Sequence, residues 1–136
     1  MSTAARRGAY PLPIQQPAHS KYRSRKVEVD GIVFASQMEA DYYQHLLLLQ
    51  RAGEVERFVL QPSFELQQGF KKHGKTYRAI TYVADFGVVY ADGRRVVVDV
   101  KGMPTPVFLL KKKMYARLFD EPLLCVTKTR NGWREW

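Results

Sequence analysis

The stretch TYVADFGVVYADGRRVVVDVKG, from Thr81 to Gly102, decides how the chain reads. Two apolar runs, VADFGVVY and VVVDVK, flank Ala91-Asp92-Gly93, and Asp-Gly between hydrophobic segments is a strong hairpin signal. Side chains alternate faces along a strand, so Asp99 and Lys101 share one face while Val98 and Val100 take the other. In the first strand Asp85 falls on the face of Val83 and Gly87. Burying an unpaired carboxylate costs roughly several kcal/mol unless a cation or donors meet it. Two carboxylates and a lysine on neighbouring strands therefore suggest a metal site.

A chain of 136 residues, 46% hydrophobic, suits one folded domain with a real core. No apolar run is long enough to span a bilayer and the N-terminus shows no signal-peptide pattern, so a cytoplasmic protein is expected. The single cysteine, Cys125, excludes a disulfide or a thiolate zinc site within the chain. A net charge of +9 points to a polyanionic partner, with nucleic acid the first candidate.

Working outward, residues 1–26 carry Arg6, Arg7, Lys21, Arg23, Arg25 and Lys26, three prolines and no acid. This segment is expected to be a flexible basic arm, either a solvated tail or a phosphate-contacting arm that orders on binding. Residues 27–136 form the single expected domain. Lys26 to Ala35 alternates around Asp30-Gly31 and predicts a hairpin. Ser36 with Glu39 three residues later is a capping box, and Gly53 closes the helix it opens. Met38, Tyr42, His45, Leu46 and Leu49 form the expected core stripe. Glu39 has two readings, a cap reaching back to the Ser36 amide or an acid leaning towards a metal held by the strands.

VERFVLQP and SFELQQ, Val55 to Gln68, read as strands, with Gln61 at the close of the first either a sheet-edge residue or a donor near the metal. Gly69 to Arg78 reads as a basic loop. Its Lys71, Lys72, Lys75 and Arg78 could grip phosphates, and Phe70 or Tyr77 could pack against sugar or base. After Gly102 a helix is predicted over about Val107 to Phe119, with Thr105 as N-cap and Pro106 at the first position. Val107, Leu110, Met114 and Leu118 are expected inward, with Phe108 and Tyr115 widening that face. The remaining Lys111, Lys112, Lys113 and Arg117 are a solvated face or a backbone-binding surface. Leu123 to Thr127 is a last strand, followed by a basic tail with Trp133 and Trp136. No phosphate-loop motif, histidine pair at metal spacing or nucleophile-plus-base signature is present.

An acid on the first helix (Glu39), an acid on a strand (Asp85 in ADF), Asp99-Val100-Lys101 in VDVKG and a following helix together resemble the PD-(D/E)XK nuclease superfamily. The wider string is similar to a family of small phage and prophage proteins placed in that superfamily, with a likeness to Holliday junction resolvases. The shared stretches are YRSRKVEVDGIVFAS, QMEADYY, LQPSFEL, TYRAITYVADF and VDVKG with its Lys-rich helix, about residues 21 to 127. Two departures are Ala84 at the position of the motif's proline and Asp99 in place of Glu, both tolerated in the superfamily.

The resemblance implies an α/β fold, restriction-endonuclease-like, with a mixed central sheet flanked by two main helices. It implies Asp85 and Asp99 as metal ligands, Lys101 as the catalytic lysine, and Glu39 completing the acid set directly or through a water. Mg²⁺ prefers hard oxygen ligands and keeps several waters, so two carboxylates and the Val100 carbonyl suffice to hold it, with Mn²⁺ able to substitute. The expected function is a Mg²⁺-dependent DNA endonuclease from a phage or prophage, acting in a bacterial host cell. The analogy extends to branched, Holliday junction-type DNA in recombination and to a homodimer making symmetric cuts. Lys71, Lys72, Lys75, Arg78, Lys111 and Lys113 are the expected nucleic-acid contacts. Two rivals stand beside this reading: a catalytically idle nucleic-acid-binding protein, and a nuclease subunit that needs a phage or host protein.

Overall fold

The computed structural model describes residues 25–136; the expected basic arm falls outside the described residues except for Arg25 and Lys26. The order is β1 (Val27–Val29), β2 (Ile32–Phe34), α1 (Gln37–Arg51), β3 (Val55–Leu60), β4 (Ser63–Gln67), β5 (Phe70–Lys72) and β6 (Lys75–Tyr77). Then come β7 (Ile80–Val83), β8 (Phe86–Tyr90), β9 (Arg95–Val100), α2 (Pro106–Leu118), β10 (Leu123–Thr129) and β11 (Gly132–Glu135). The architecture is mixed α/β. A five-stranded sheet in the order β11-β10-β9-β8-β3 forms its centre, with β9 and β10 parallel and the other neighbours antiparallel. Parallel neighbours require a crossover, and α2 supplies it.

Alternation along β9 divides the core. Val96, Val98 and Val100 pack with Tyr42 and Leu46 of α1 and with Phe34, whereas Val97 packs with Phe108 and Tyr115 of α2. The two helices therefore cover opposite faces of the sheet. Asp99 and Lys101 have the parity of Val97 and fall on the α2 side. Ser36 caps α1 as its sequence predicts, with Oγ accepting from the Glu39 amide at 3.1 Å. Trp133 docks edge-on against Tyr42, centroids 4.8 Å apart, so the tail is a strand seated on the body.

Three expectations need correction. The run Val83–Tyr90 is two strands: β7 pairs with β4, β8 pairs with β3 and β9, and the chain breaks at Ala84-Asp85. The cause is a matching bend in the partner strand at Gln61-Pro62. Gln61 has φ +54°, its amide donates to the Asp85 carbonyl at 2.9 Å, and the Ala84 amide donates to the Pro62 carbonyl at 3.0 Å. Proline cannot continue a ladder as donor, so the ribbon turns there and carries on in a separate sheet.

Second, residues 69–78 hold a hairpin, β5–β6, closed by a two-residue turn with positive φ at both His73 and Gly74. Third, α2 is rotated from the expected phase. Phe108 and Tyr115 are buried, Met114 and Leu118 are partly buried, and Val107 and Leu110 are about 60% exposed. Two aromatic side chains seven residues apart bury more area than Val107 and Leu110 would, so they set the helix's inward face. Lys111 and Lys112 beside them are half-buried.

Candidate active site

Asp99, near the end of β9, is 4% exposed. A buried carboxylate needs partners, and two are present: the Tyr82 hydroxyl donates to Oδ2, and Lys101 Nζ lies 3.4 Å from Oδ1. Lys101 also stands 4.8 Å above the Phe108 ring, so an acid and a π face hold the ammonium group in place. Asp85 sits at the bend between β7 and β8, where its Oδ2 accepts from the Val100 amide at 2.8 Å. The strand break thus aims Asp85 at the end of β9.

These residues share a cleft of about 470 Å³. Tyr82, Asp85, Asp99, Lys101, Lys111 and the first turn of α2 line it. Lys111 Nζ donates to the Thr81 carbonyl at 3.0 Å, and Thr105 caps the Phe108 amide at 3.1 Å. With no acid in that first turn, the helix's positive end faces the cleft. Asp85 also borders a small cavity of about 20 Å³ whose other polar lining residues are Glu39 and Gln61. Asp85 therefore lies between Glu39 and the cleft.

The buried acids repel one another. Burial, then repulsion from Asp99 and from Glu39, holds Asp85 well above the usual carboxylate range. Burial and the Asp99 charge raise Glu39 to about 7, against lowering by a backbone hydrogen bond at Ala35, by Ser36 and by Lys101. Tyr82 is driven upward by burial and by Asp99, so it stays a hydroxyl donor. Cys125, beside Asp99 on the neighbouring strand, is raised to about 11 by burial first and the Asp99 charge second, which leaves it an inert thiol.

Among the described residues, no three His, Cys, Asp or Glu side chains are grouped closely enough to enclose an ion by themselves. The donor chemistry nonetheless suits a hard divalent cation. Mg²⁺ is commonly held by one or two carboxylates with waters completing its shell. Here two carboxylates flank the last residue of β9 with one ammonium in direct contact, and burial together with repulsion between the acids raises Asp85 and Glu39. Asp85, Asp99 and the Val100 carbonyl would hold such an ion, with Glu39 reaching it through water.

Of the predicted site residues, the structure brings Asp85, Asp99, Lys101 and Lys111 into one cleft and places Glu39 immediately behind Asp85. Gln61, read as a sheet-edge residue or a donor near the metal, lines the small cavity with Glu39. Lys113 is exposed and two residues from Lys111, about 200° around the helix, so it faces away from the cleft. Lys71, Lys72, Lys75 and Arg78 are all exposed and lie apart from it on and beside the β5–β6 hairpin. The sequence reading omitted Tyr82, which looks like one more aromatic in an apolar run. Its signal was parity: Tyr82 pairs with Phe64 across the β4–β7 ribbon and lies on the face that meets α2.

Fold and site together define a mixed α/β domain with an acid-and-lysine cleft where a helix crosses over the end of a parallel strand pair. The chain belongs to the family described as "Protein of unknown function (DUF1064)", whose model matches residues 19–131. No curated protein and no solved structure matches it.

Proposed function

We propose that the protein is a Mg²⁺-dependent endodeoxyribonuclease of the PD-(D/E)XK type, with a restriction-endonuclease-like core. The observation that carries this reading is the meeting of Asp85, Asp99 and Lys101 in one cleft, with Glu39 coupled to both acids from behind. Phosphodiester hydrolysis needs a water made nucleophilic near neutral pH and a positive sink for charge growing on the phosphate. A bound divalent cation would supply Lewis acidity and a more acidic water. The chain's own groups do the rest. Lys101 Nζ, fixed by Asp99 and Phe108, orients the attacking water or meets the developing phosphate charge. Lys111 and the α2 N-terminus attract and seat the phosphate, and Tyr82 fixes the Asp99 carboxylate.

By resemblance, the substrate class is branched DNA of the Holliday junction type, cut symmetrically by a homodimer of phage or prophage origin. A second reading has one observation in its favour: Asp99 already has Tyr82 and Lys101 as partners, so the acids could serve as ion-pair partners in a non-catalytic nucleic-acid-binding protein. Purified protein with Mg²⁺ on a labelled four-way junction and on linear duplex separates the two. Cleavage by the wild type, with binding but no cleavage by Asp99→Ala, supports the enzyme. Binding without cleavage in Mg²⁺ or Mn²⁺ supports the second reading. Cleavage only after adding a phage or host protein would assign the chain to a nuclease subunit.

A further inference from the structure

The arm that carries Asp85 ends in a ribbon the cleft does not use. Strands β3–β4 and β7–β8 form one bent antiparallel ladder, and β5–β6 caps it as a two-stranded sheet with no other strand beside it among the described residues. None of its six strand residues is buried. Phe70 and Tyr77 face each other across it and stack, centroids 4.8 Å apart and planes 15° from parallel, each about 45% exposed. On the same face nearer the tip, Lys72 is paired with Lys75. Lys71 takes the other face, Arg78 follows, and residues 69–78 contain no acid.

This ribbon places like charges opposite each other and leaves apolar area in solvent. Isolated two-stranded hairpins are marginal in water, and like charges directly opposite each other weaken them further. The Phe70–Tyr77 stack supports the pairing but leaves nearly half of each ring in solvent. A polyanion with a hydrophobic interior relieves both. The dimensions choose among polyanions: a pair of strands about 4.8 Å apart fits the roughly 12 Å wide, 8.5 Å deep major groove of B-form DNA. The deep, narrow major groove of A-form RNA does not admit it.

We propose that the β5–β6 ribbon lies in the major groove of B-form duplex DNA and fixes how far along a DNA arm the acid cleft is placed. Lys71, Lys72 and Lys75 contact phosphates on the groove walls, and the Phe70–Tyr77 stack lies against sugars and base edges without reading a sequence. Eight residues separate Tyr77 from Asp85, at most about 26 Å of extended chain, or about eight base pairs. The inference rests on the DNA-binding half of the proposed function and is independent of hydrolysis.

The test uses the full chain carrying Asp99→Ala, so that DNA is bound and not cut. Its affinity for a fluorescent linear duplex is titrated against salt, with and without Lys71→Ala, Lys72→Ala and Lys75→Ala together. Losing three phosphate contacts should lower the slope of log affinity against log salt by roughly 2.7. Methylation of guanine N7, which blocks the major groove, should weaken binding of the same chain to the same duplex. This second measurement needs no ribbon variant and stands if the triple variant folds poorly. An unchanged slope, indifference to N7 methylation, or equal affinity for duplex RNA or anionic vesicles overturns the proposal. Failure of the nuclease reading looks different: ribbon-dependent binding would persist while the wild type cuts nothing.

Discussion

Replacing Glu39 by Gln should flatten the pH dependence of stability. In the folded chain Glu39 titrates near 7 rather than at its ordinary 4.5, because burial and the Asp99 charge disfavour its anion. A carboxyl group with a raised folded pKa contributes stability that is complete below the unfolded pKa and is lost as pH rises through the folded one. The window is therefore about pH 4.5 to 7. The difference of about 2.5 units corresponds to roughly 3 kcal/mol at 1.36 kcal/mol per unit, and Asp85, also raised, adds loss of the same sign. His45 opposes this below its ordinary 6.5, since burial lowers it and stability falls as it gains a proton. Comparing wild type with Glu39→Gln cancels that contribution. Gln keeps the length that a capping box needs at this position. In urea with EDTA, the variant should match the wild type near pH 4.5 and exceed it by about 3 kcal/mol at pH 8. Parallel curves for the two proteins across that range would refute the coupling of Glu39 to the acid cluster.

Tyr82→Phe removes the hydroxyl that meets Asp99, and loss of such a supporting partner should reduce cleavage and Mg²⁺ affinity by about 10–100-fold, read from rate against Mg²⁺ concentration. Lys111→Ala should weaken junction binding about tenfold, as expected for one charge-assisted hydrogen bond of roughly 1.5 kcal/mol. Lys113→Ala, on the opposite side of α2, should change cleavage much less in the same assay. Gly53→Ala should destabilise the domain by about 1 kcal/mol, because Gly53 follows α1 at φ +84°, where a Cβ is penalised. Thermal melting reads this directly, and a melting temperature equal to the wild type's would contradict it.

Much of this site is legible in the order of residues, and its failures share a physical cause. Asp99 and Lys101 are two apart on a strand, so parity alone places them together. Their side of the sheet follows once α2 covers Val97. Asp85 is harder, since VADFGVVY is apolar apart from Asp85 itself and gives no sign of the break at Ala84-Asp85. That break is set by Gln61-Pro62 on the partner strand, more than twenty residues away. The phase of α2 was ambiguous because Val107, Leu110, Met114 and Leu118 satisfy the helical period as well as Phe108 and Tyr115 do. Only packing against Phe64 and Tyr82 selects the aromatic set. The β5–β6 hairpin eluded a reading based on apolar alternation because every residue of it is exposed. His73-Gly74 between short polar runs was its one local signal.

The most direct measurement is the fate of an end-labelled four-way junction incubated with the purified chain, with Mg²⁺ and with EDTA, beside Asp99→Ala. Strand scission by the wild type in Mg²⁺ alone, and a bound but intact junction with the variant, is the expected result. A wild-type chain that holds the junction yet leaves every strand whole in both Mg²⁺ and Mn²⁺ would contradict a catalytic role for the Asp85, Asp99 and Lys101 cleft.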